Sequence, residues 1–407
     1  MHRALCRLTA LGAVALATLS LAAARSAAAA GSATSSGESS FALSLLGRLA
    51  GPGNLVYSPY SIYTALAMAD AGAAGQTASQ IDRVLAAPSH GAAIADGAAL
   101  QRAITAAVHG GPQAPTLDTA NALWTQSGVA FEQPFISTLS DQFGAPPRST
   151  DFAASPAAAL EAINAWVAMH TNNLIRALLA PGSIGPQTTF VLANAIYLKA
   201  HWESPFVASR TQPAPFTSAT GTVVRVPFMN QPDTTYRYAA GAGYQAVALP
   251  YSSSSLSLLA ILPRAQTLAA LERGLTPSSL AAIVARLAPH AVTLALPKLN
   301  LSTQSDLDRP LTALGMRDAF GSAADFSAMT KQRALDISLV EHAADLKLDE
   351  QGTVAAGATV IVGPTAIARP PTGSVTLRFD HPFLLLLRDD ASGAILFVAQ
   401  VENPSEH

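Results

Sequence analysis

The chain has 407 residues, with 24 Lys plus Arg against 26 Asp plus Glu and a net charge of −2. Only 12% of residues are charged and 50% are hydrophobic, which excludes a chain held open by self-repulsion and leaves no basic footprint for nucleic acid. One cysteine excludes a disulfide framework and a thiolate-rich metal site.

His2, Arg3 and Arg7 give a basic start, Leu8 to Leu21 is apolar, and Ala22 to Ala30 is almost all small. This is the pattern of a secretory signal over 1–30 and points to a secreted protein, extracellular or periplasmic. A membrane anchor needs a longer apolar run than this one, which Arg25 closes. Cleavage after Ala24, Ala29 or Ala30 fits. A cut after Ala30 removes Arg3, Arg7, Arg25 and Cys6 but no acid, leaving 21 basic against 26 acidic residues, a net charge of −5. Such a chain is thiol-free and is held by packing alone. Residues 31–40, rich in Ser and Gly, read as a flexible leader, and 41–407 as one domain.

Phe41 to Leu49 has helical periodicity, and Gly51-Pro52-Gly53 breaks it. Ser58-Pro59 opens a helix through Met68, with serine as cap and proline in the first turn. Ala78 to Leu85 and Ala98 to Val108 read as helices, Leu117 to Trp124 as a buried strand, and Ala157 to Met169 as a helix with Ile163, Trp166 and Val167 on one face. Past residue 186 strands take over: Thr189 to Leu198, Thr222 to Met229, Tyr244 to Leu249, Leu256 to Leu262, Val292 to Leu296, Ala334 to Val340, Val375 to Phe379, Phe383 to Leu387 and Ile395 to Val401. Helices early and strands late, without βαβ alternation, predict an α+β fold with large, mostly antiparallel sheets.

No Gly-x-Ser-x-Gly elbow, His-Glu-x-x-His pair or Walker loop occurs, and Ser327 and Lys331 are four residues apart where a Ser-x-x-Lys hydrolase needs three. The nine histidines do not fall at metal-ligand spacing. The expectation is therefore no enzyme, no cofactor and no metal. Asn300-Leu301-Ser302 is a formal glycosylation acceptor, a motif short enough to recur by chance.

Gln351 to Ala368 runs eighteen residues without a charge, between Glu350 and Arg369-Pro370-Pro371. As a strand it would turn Thr353, Ala355, Gly357 and Thr359 one way and Val354, Ala356, Ala358 and Val360 the other, with small or apolar residues on both faces. An ordinary core strand and a loop destined to become a strand both fit this composition.

The chain resembles the serpins, of secreted bacterial type, from about Phe41 to Pro404. Asn54 to Ile62 resembles the start of an early family helix, and Phe190 to Phe206, with Asn194, Tyr197, Lys199 and Trp202, a strand and turn. Leu296-Pro297-Lys298-Leu299, Ala324-Asp325-Phe326-Ser327 and Asp380-His381-Pro382-Phe383 match further stretches. Glu341-His342-Ala343-Ala344 leads into Asp349-Glu350-Gln351-Gly352-Thr353, which resembles a reactive-loop hinge.

The resemblance implies a single-domain α+β fold: eight to nine helices packed on three mostly antiparallel β-sheets, with an exposed reactive-centre loop at about 350–374. It implies a suicide substrate rather than an enzyme. A target serine protease cleaves the loop, and the loop then enters the central sheet as a strand and traps the acyl-enzyme. The hinge would be Gly352, Thr353, Ala355, Ala356, Gly357, Ala358 and Thr359, small enough to be buried without desolvating a charge. Glu350, Lys298 and Trp202 match the breach at the top of the sheet, where the plain alternative is a surface ion pair. Ser58, Ser61, Asn194 and His342 match the shutter under its centre; a satisfied core histidine is the alternative for His342. Counting seventeen residues from Glu350 puts the reactive bond at Ala366–Ile367, suited to an elastase-like or subtilisin-like protease. The long stretch to Phe379 leaves Thr365, Ile367 and Ala368 as other residues before the cut. The expected state is a monomer prone to loop–sheet polymers, without nucleic-acid or membrane partners. The alternatives are a non-inhibitory serpin acting as a binding or storage protein, and a secreted enzyme with an unrecognised site.

Overall fold

The computed structural model describes residues 37–89, 91–108, 110–111, 113–353 and 374–406. The signal 1–30, residues 31–36, and Ala355, Ala356, Gly357, Ala358, Thr359, Ala366 and Ile367 of the loop lie outside the described residues.

The described helices are α1 (37–49), α2 (Pro59–Asp70), α3 (Gly75–Val84), α4 (Ala92–Val108), α5 (Gln133–Phe143), α6 (Pro156–His170), α7 (Leu268–Gly274), α8 (Pro277–Ala285) and α9 (Asp308–Leu314). Helix α1 begins within the stretch read as leader, so that boundary moves back from 41 to 37. Gly37 to Ser40 carries no apolar signal, yet Glu38 is buried and its Oε2 accepts the Ile395 N–H at 3.1 Å. Helix α5 was not anticipated, although Phe135, Leu139 and Phe143 recur every four residues and are all buried. Gly144 closes it in the left-handed region at φ 62°.

The strands are β1 (Leu55–Tyr57), β2 (Thr116–Gln126), β3 (Arg148–Thr150), β4 (Phe190–His201), β5 (Gln212–Thr217), β6 (Val223–Gly241), β7 (Tyr244–Pro250), β8 (Leu256–Pro263), β9 (Ala288–Pro297), β10 (Leu299–Asp306), β11 (Ile337–Asp349), β12 (Gly352–Thr353), β13 (Val375–Arg378), β14 (Phe383–Asp389) and β15 (Ile395–Val401). They form two hydrogen-bonded sheets where the family resemblance implied three. The nine-stranded sheet runs β1-β15-β14-β8-β7-β6-β9-β13, with β5 on β6. Two strand groups merge in it because the 19-residue β6 serves both: its first part pairs with β5 and its last with β7, and a bulge between Gln231 and Thr234 interrupts its ladder with β9. The six-stranded sheet runs β10-β11-β12-β4-β2-β3.

Strands β8, β14 and β15 are buried at every position, which explains their unbroken apolar runs: both faces are covered. Helix α2 is buried along all 12 residues and packs on β2, β4, β15 and α4. A helix covered all round belongs between layers, and α2 fills the space between the two sheets. A second cluster, with Trp124, Ile163, Trp166, Val167 and Leu178, packs α6 and its return segment on the six-stranded sheet.

Truncating Leu385, which is 1% exposed in β14, should cost about 2–5 kcal/mol of unfolding free energy. Val223→Ala, at a side chain 62% exposed, should leave stability unchanged within about 0.5 kcal/mol. Urea denaturation of the two variants measures both.

Candidate functional site

The site lies along one seam of the six-stranded sheet. Strands β4 and β11 are parallel neighbours from the Ile337–Phe190 pair to the Ala344–Ile196 pair. Beyond these they part, and β12 occupies the gap, antiparallel to both. Thr353 is registered with Leu348 on one side and Ala200 on the other, and Gly352 with Asp349 and His201. The chain therefore turns at Glu350–Gln351 and heads back down between the two strands.

Gly352 is where this turn is tightest. Its φ is +152°, and a Cβ there would sit 1.9 Å from the Ala200 carbonyl oxygen, so only glycine fits. Thr353 is 1% exposed, and its hydroxyl pairs with the Tyr251 hydroxyl at 2.5 Å. The Tyr251 ring stacks on Trp202 at 4.6 Å. Trp202 donates its indole N–H to the Asp349 carbonyl and its backbone N–H to that of Gln351, both at 2.9 Å. Between those acceptors, Glu350 takes Lys298 Nζ at 2.8 Å on one carboxylate oxygen and the Thr211 hydroxyl at 2.7 Å on the other. Partial burial pushes the Glu350 pKa up, but Lys298, Thr211 and its backbone bond together hold it below the ordinary carboxylate value. The three residues expected at the top of the sheet thus meet there, with Lys298 and Glu350 in a direct ion pair. Tyr251 and Thr211 were not anticipated from sequence.

Lower on the seam a row of polar side chains crosses the sheet. Asn121 of β2 is registered with Asn194 of β4, and Asn194 with His342 of β11. The N-terminus of α2 meets this row. Asn194 Nδ2 donates to Ser61 Oγ at 2.7 Å and Asn121 Oδ1 at 2.5 Å, and Ser61 Oγ–H donates to Asn121 Oδ1 at 2.8 Å. Ser58 caps α2 by accepting the Ser61 N–H at 3.1 Å. The Ser58 backbone N–H donates to His342 Nε2 at 3.0 Å. That bond makes Nε2 an acceptor, so the proton sits on Nδ1, which pairs with Asn194 Oδ1. All four residues expected here are brought together, and Asn121 is a fifth that the sequence reading missed. The available signal was an amide between alanines in a buried strand, a group that must find a partner.

The Asn194–His342 hydrogen bond spans the β4–β11 seam, and the seam is already parted where Thr353 enters. Parting the strands further would break that bond, and its donors and acceptors would then need new partners.

Two sheets packed with helices, one of them parted at the end of a parallel strand pair to take the two-residue β12 above a buried polar row, define a single-domain α+β protein. Comparison with known proteins places it: the family model Serpin (serine protease inhibitor) matches residues 36–404, and the chain belongs to the serpin family. Iripin-2 of Ixodes ricinus is 35% identical over 368 residues, covering 89% of this chain and 91% of that protein. The leukocyte elastase inhibitor of Bos taurus is 32% identical, covering 91% and 99%. Among solved structures, uncleaved ovalbumin superposes with a TM-score of 0.81 at 26% identity, covering 91% of this chain and 99% of that one.

Burial pushes the His342 pKa from 6.5 down to about 3. The unfolded chain takes up a proton near 6.5 and the folded one does not, so the stability carried by neutral His342 is complete above pH 6.5 and declines as pH falls from there toward 3. Buried carboxyls act oppositely. Burial raises Glu38 to about 8, and Glu272 and Asp308 to about 7, so their contribution is present at acid pH and declines as pH rises through those values. The His342→Gln variant isolates the histidine. The stability gap between wild type and variant should shrink by up to about 1.4 kcal/mol per pH unit between pH 6 and 4.5. A gap constant with pH in denaturant titrations contradicts this.

Proposed function

We propose that this chain is a secreted suicide-substrate inhibitor of serine proteases with an elastase-like or subtilisin-like preference. The observation that carries the reading is Thr353, buried between Leu348 and Ala200 at the open end of the β4–β11 seam, with no charged residue following until Arg369. A segment so composed enters a sheet without burying a charge.

In this reading the target cleaves Ala366–Ile367, and Ala355, Gly357 and Thr359 follow Thr353 into the seam while Ala356 and Ala358 face the other way. Thr365-Ala366 suits a small apolar specificity pocket, and the likeness to a protein named leukocyte elastase inhibitor supports that preference. Lys298, Glu350 and Trp202 hold the top of the sheet until cleavage, and Ser58, Ser61, Asn121, Asn194 and His342 exchange partners as it widens. The chain acts as a monomer and exports itself with residues 1–30.

The likeness to ovalbumin favours a second reading, a non-inhibitory binding or storage serpin. Incubation with pancreatic elastase or subtilisin separates the two. Inhibition yields an SDS-stable complex and a C-terminal peptide whose mass fixes the cut. Clean loop cleavage that leaves the protease fully active supports the second reading instead.

Thr353→Arg should turn the inhibitor into a substrate, because a guanidinium cannot be buried at that position without several kcal/mol of desolvation; stoichiometric inhibition by this variant overturns the insertion mechanism. Loop cleavage of the wild type should raise the melting temperature, read by circular dichroism, since an added central strand completes hydrogen bonding along the seam.

A further inference from the structure

A cavity of about 260 Å³ lies between α2, α4, α5, α6 and the edge formed by β2 and β3, with Asn121 of the polar row in its lining. Met68 and Phe143 give it apolar walls, and Gln101, Asn121, Arg148 and His170 polar ones. No Asp or Glu lines it.

Arg148 brings a fixed positive charge to this lining. The Arg148 guanidinium carbon lies 4.8 Å from the centre of the Trp166 ring and 5.6 Å from that of Trp124. Those two rings meet edge to face at 6.0 Å, and the guanidinium lies over both. Aromatic contact satisfies the flat faces of a guanidinium but not its N–H edges. Among the described residues, no carboxylate pairs with Arg148 and no acceptor takes its N–H groups. Asn121 spends its carbonyl oxygen on Ser61 and Asn194, while its amide N–H₂ has no acceptor among the described residues. Trp166, 9% exposed, lines the same cavity, and its indole N–H is buried without a partner. His170 stacks on Trp166 at 4.3 Å and turns Nδ1 to the Trp166 carbonyl. The Arg148 guanidinium and the Asn121 amide thus line one space that contains no anion of the protein's own.

We propose that this cavity binds a small organic carboxylate with an apolar tail. The carboxylate pairs with Arg148 and takes the Asn121 amide, and the tail lies against Met68 and Phe143. The planar fork of Arg148 matches a carboxylate in two parallel bonds, which a neutral amide cannot reproduce.

The test is isothermal titration calorimetry of the full chain with 3-phenylpropionate and, separately, with 3-phenylpropanamide. Saturable one-to-one binding of the acid is expected, with the amide weaker by roughly tenfold or more. Arg148→Gln should weaken acid binding by a similar factor. The proposal fails if the acid does not saturate, or if the amide binds wild type as tightly as the acid does. Equal acid affinity of a folded Arg148→Gln also sinks it. The acid–amide comparison uses wild-type protein, so it decides the matter even where the variant does not fold. Binding is read without a protease, so its outcome is independent of the inhibitory reading.

Discussion

The seam between β4 and β11 is the constraint on which the rest of this structure depends. The two strands are parallel neighbours inside a sheet whose other long pairs, β10–β11 and β2–β4, are antiparallel. A strand that returns from the top of β11 can only run antiparallel to both, and β12 does so over two residues. One insertion would therefore convert the least regular pair of the sheet into two antiparallel ones. Seven registered residue pairs hold the seam below Thr353, and the Asn194–His342 bond ties its middle. Leaving a buried polar group without a partner costs about 1–3 kcal/mol, so the polar row resists any parting of the seam.

Helix α2 makes this possible by being buried on every side. Its N-terminus delivers two kinds of donor to the seam, the Ser58 backbone N–H and the Ser61 hydroxyl, from an element that belongs to neither strand. Around it, β8, β14 and β15 form a wholly buried block.

Much of this was legible in the sequence, for physical reasons that vary by element. Strand β15 was read at its observed limits, and β8 and β14 to within two residues, because they are buried on both faces and written as plain apolar runs. Strand β11 was stopped at Val340, nine residues short of its end. Glu341 and His342 look like a strand's end, but Gln304 donates to one and Asn194 pairs with the other, so both are tolerated inside the sheet. Strand β10 was missed because only Leu299 and Leu301 are buried in it. The polar row was found through a family pattern, residue by residue, and Asn121 escaped because its partners lie 60 and 73 positions away. The steric reason for Gly352 is a clash with a carbonyl 152 residues distant, which no local rule contains.

The chain has three tryptophans, and the fold divides them. Trp202 is stacked flat on Tyr251 at the mouth of the seam, while Trp124 and Trp166 form an edge-to-face pair under α6. The molecule is thereby equipped with two optical reporters at opposite ends of one sheet. Indole emission senses the polarity and ring contacts around it, so the first reports on the mouth of the seam and the second on the packing of α6 against the sheet. Any widening of the seam would register in the first of these signals without an added label.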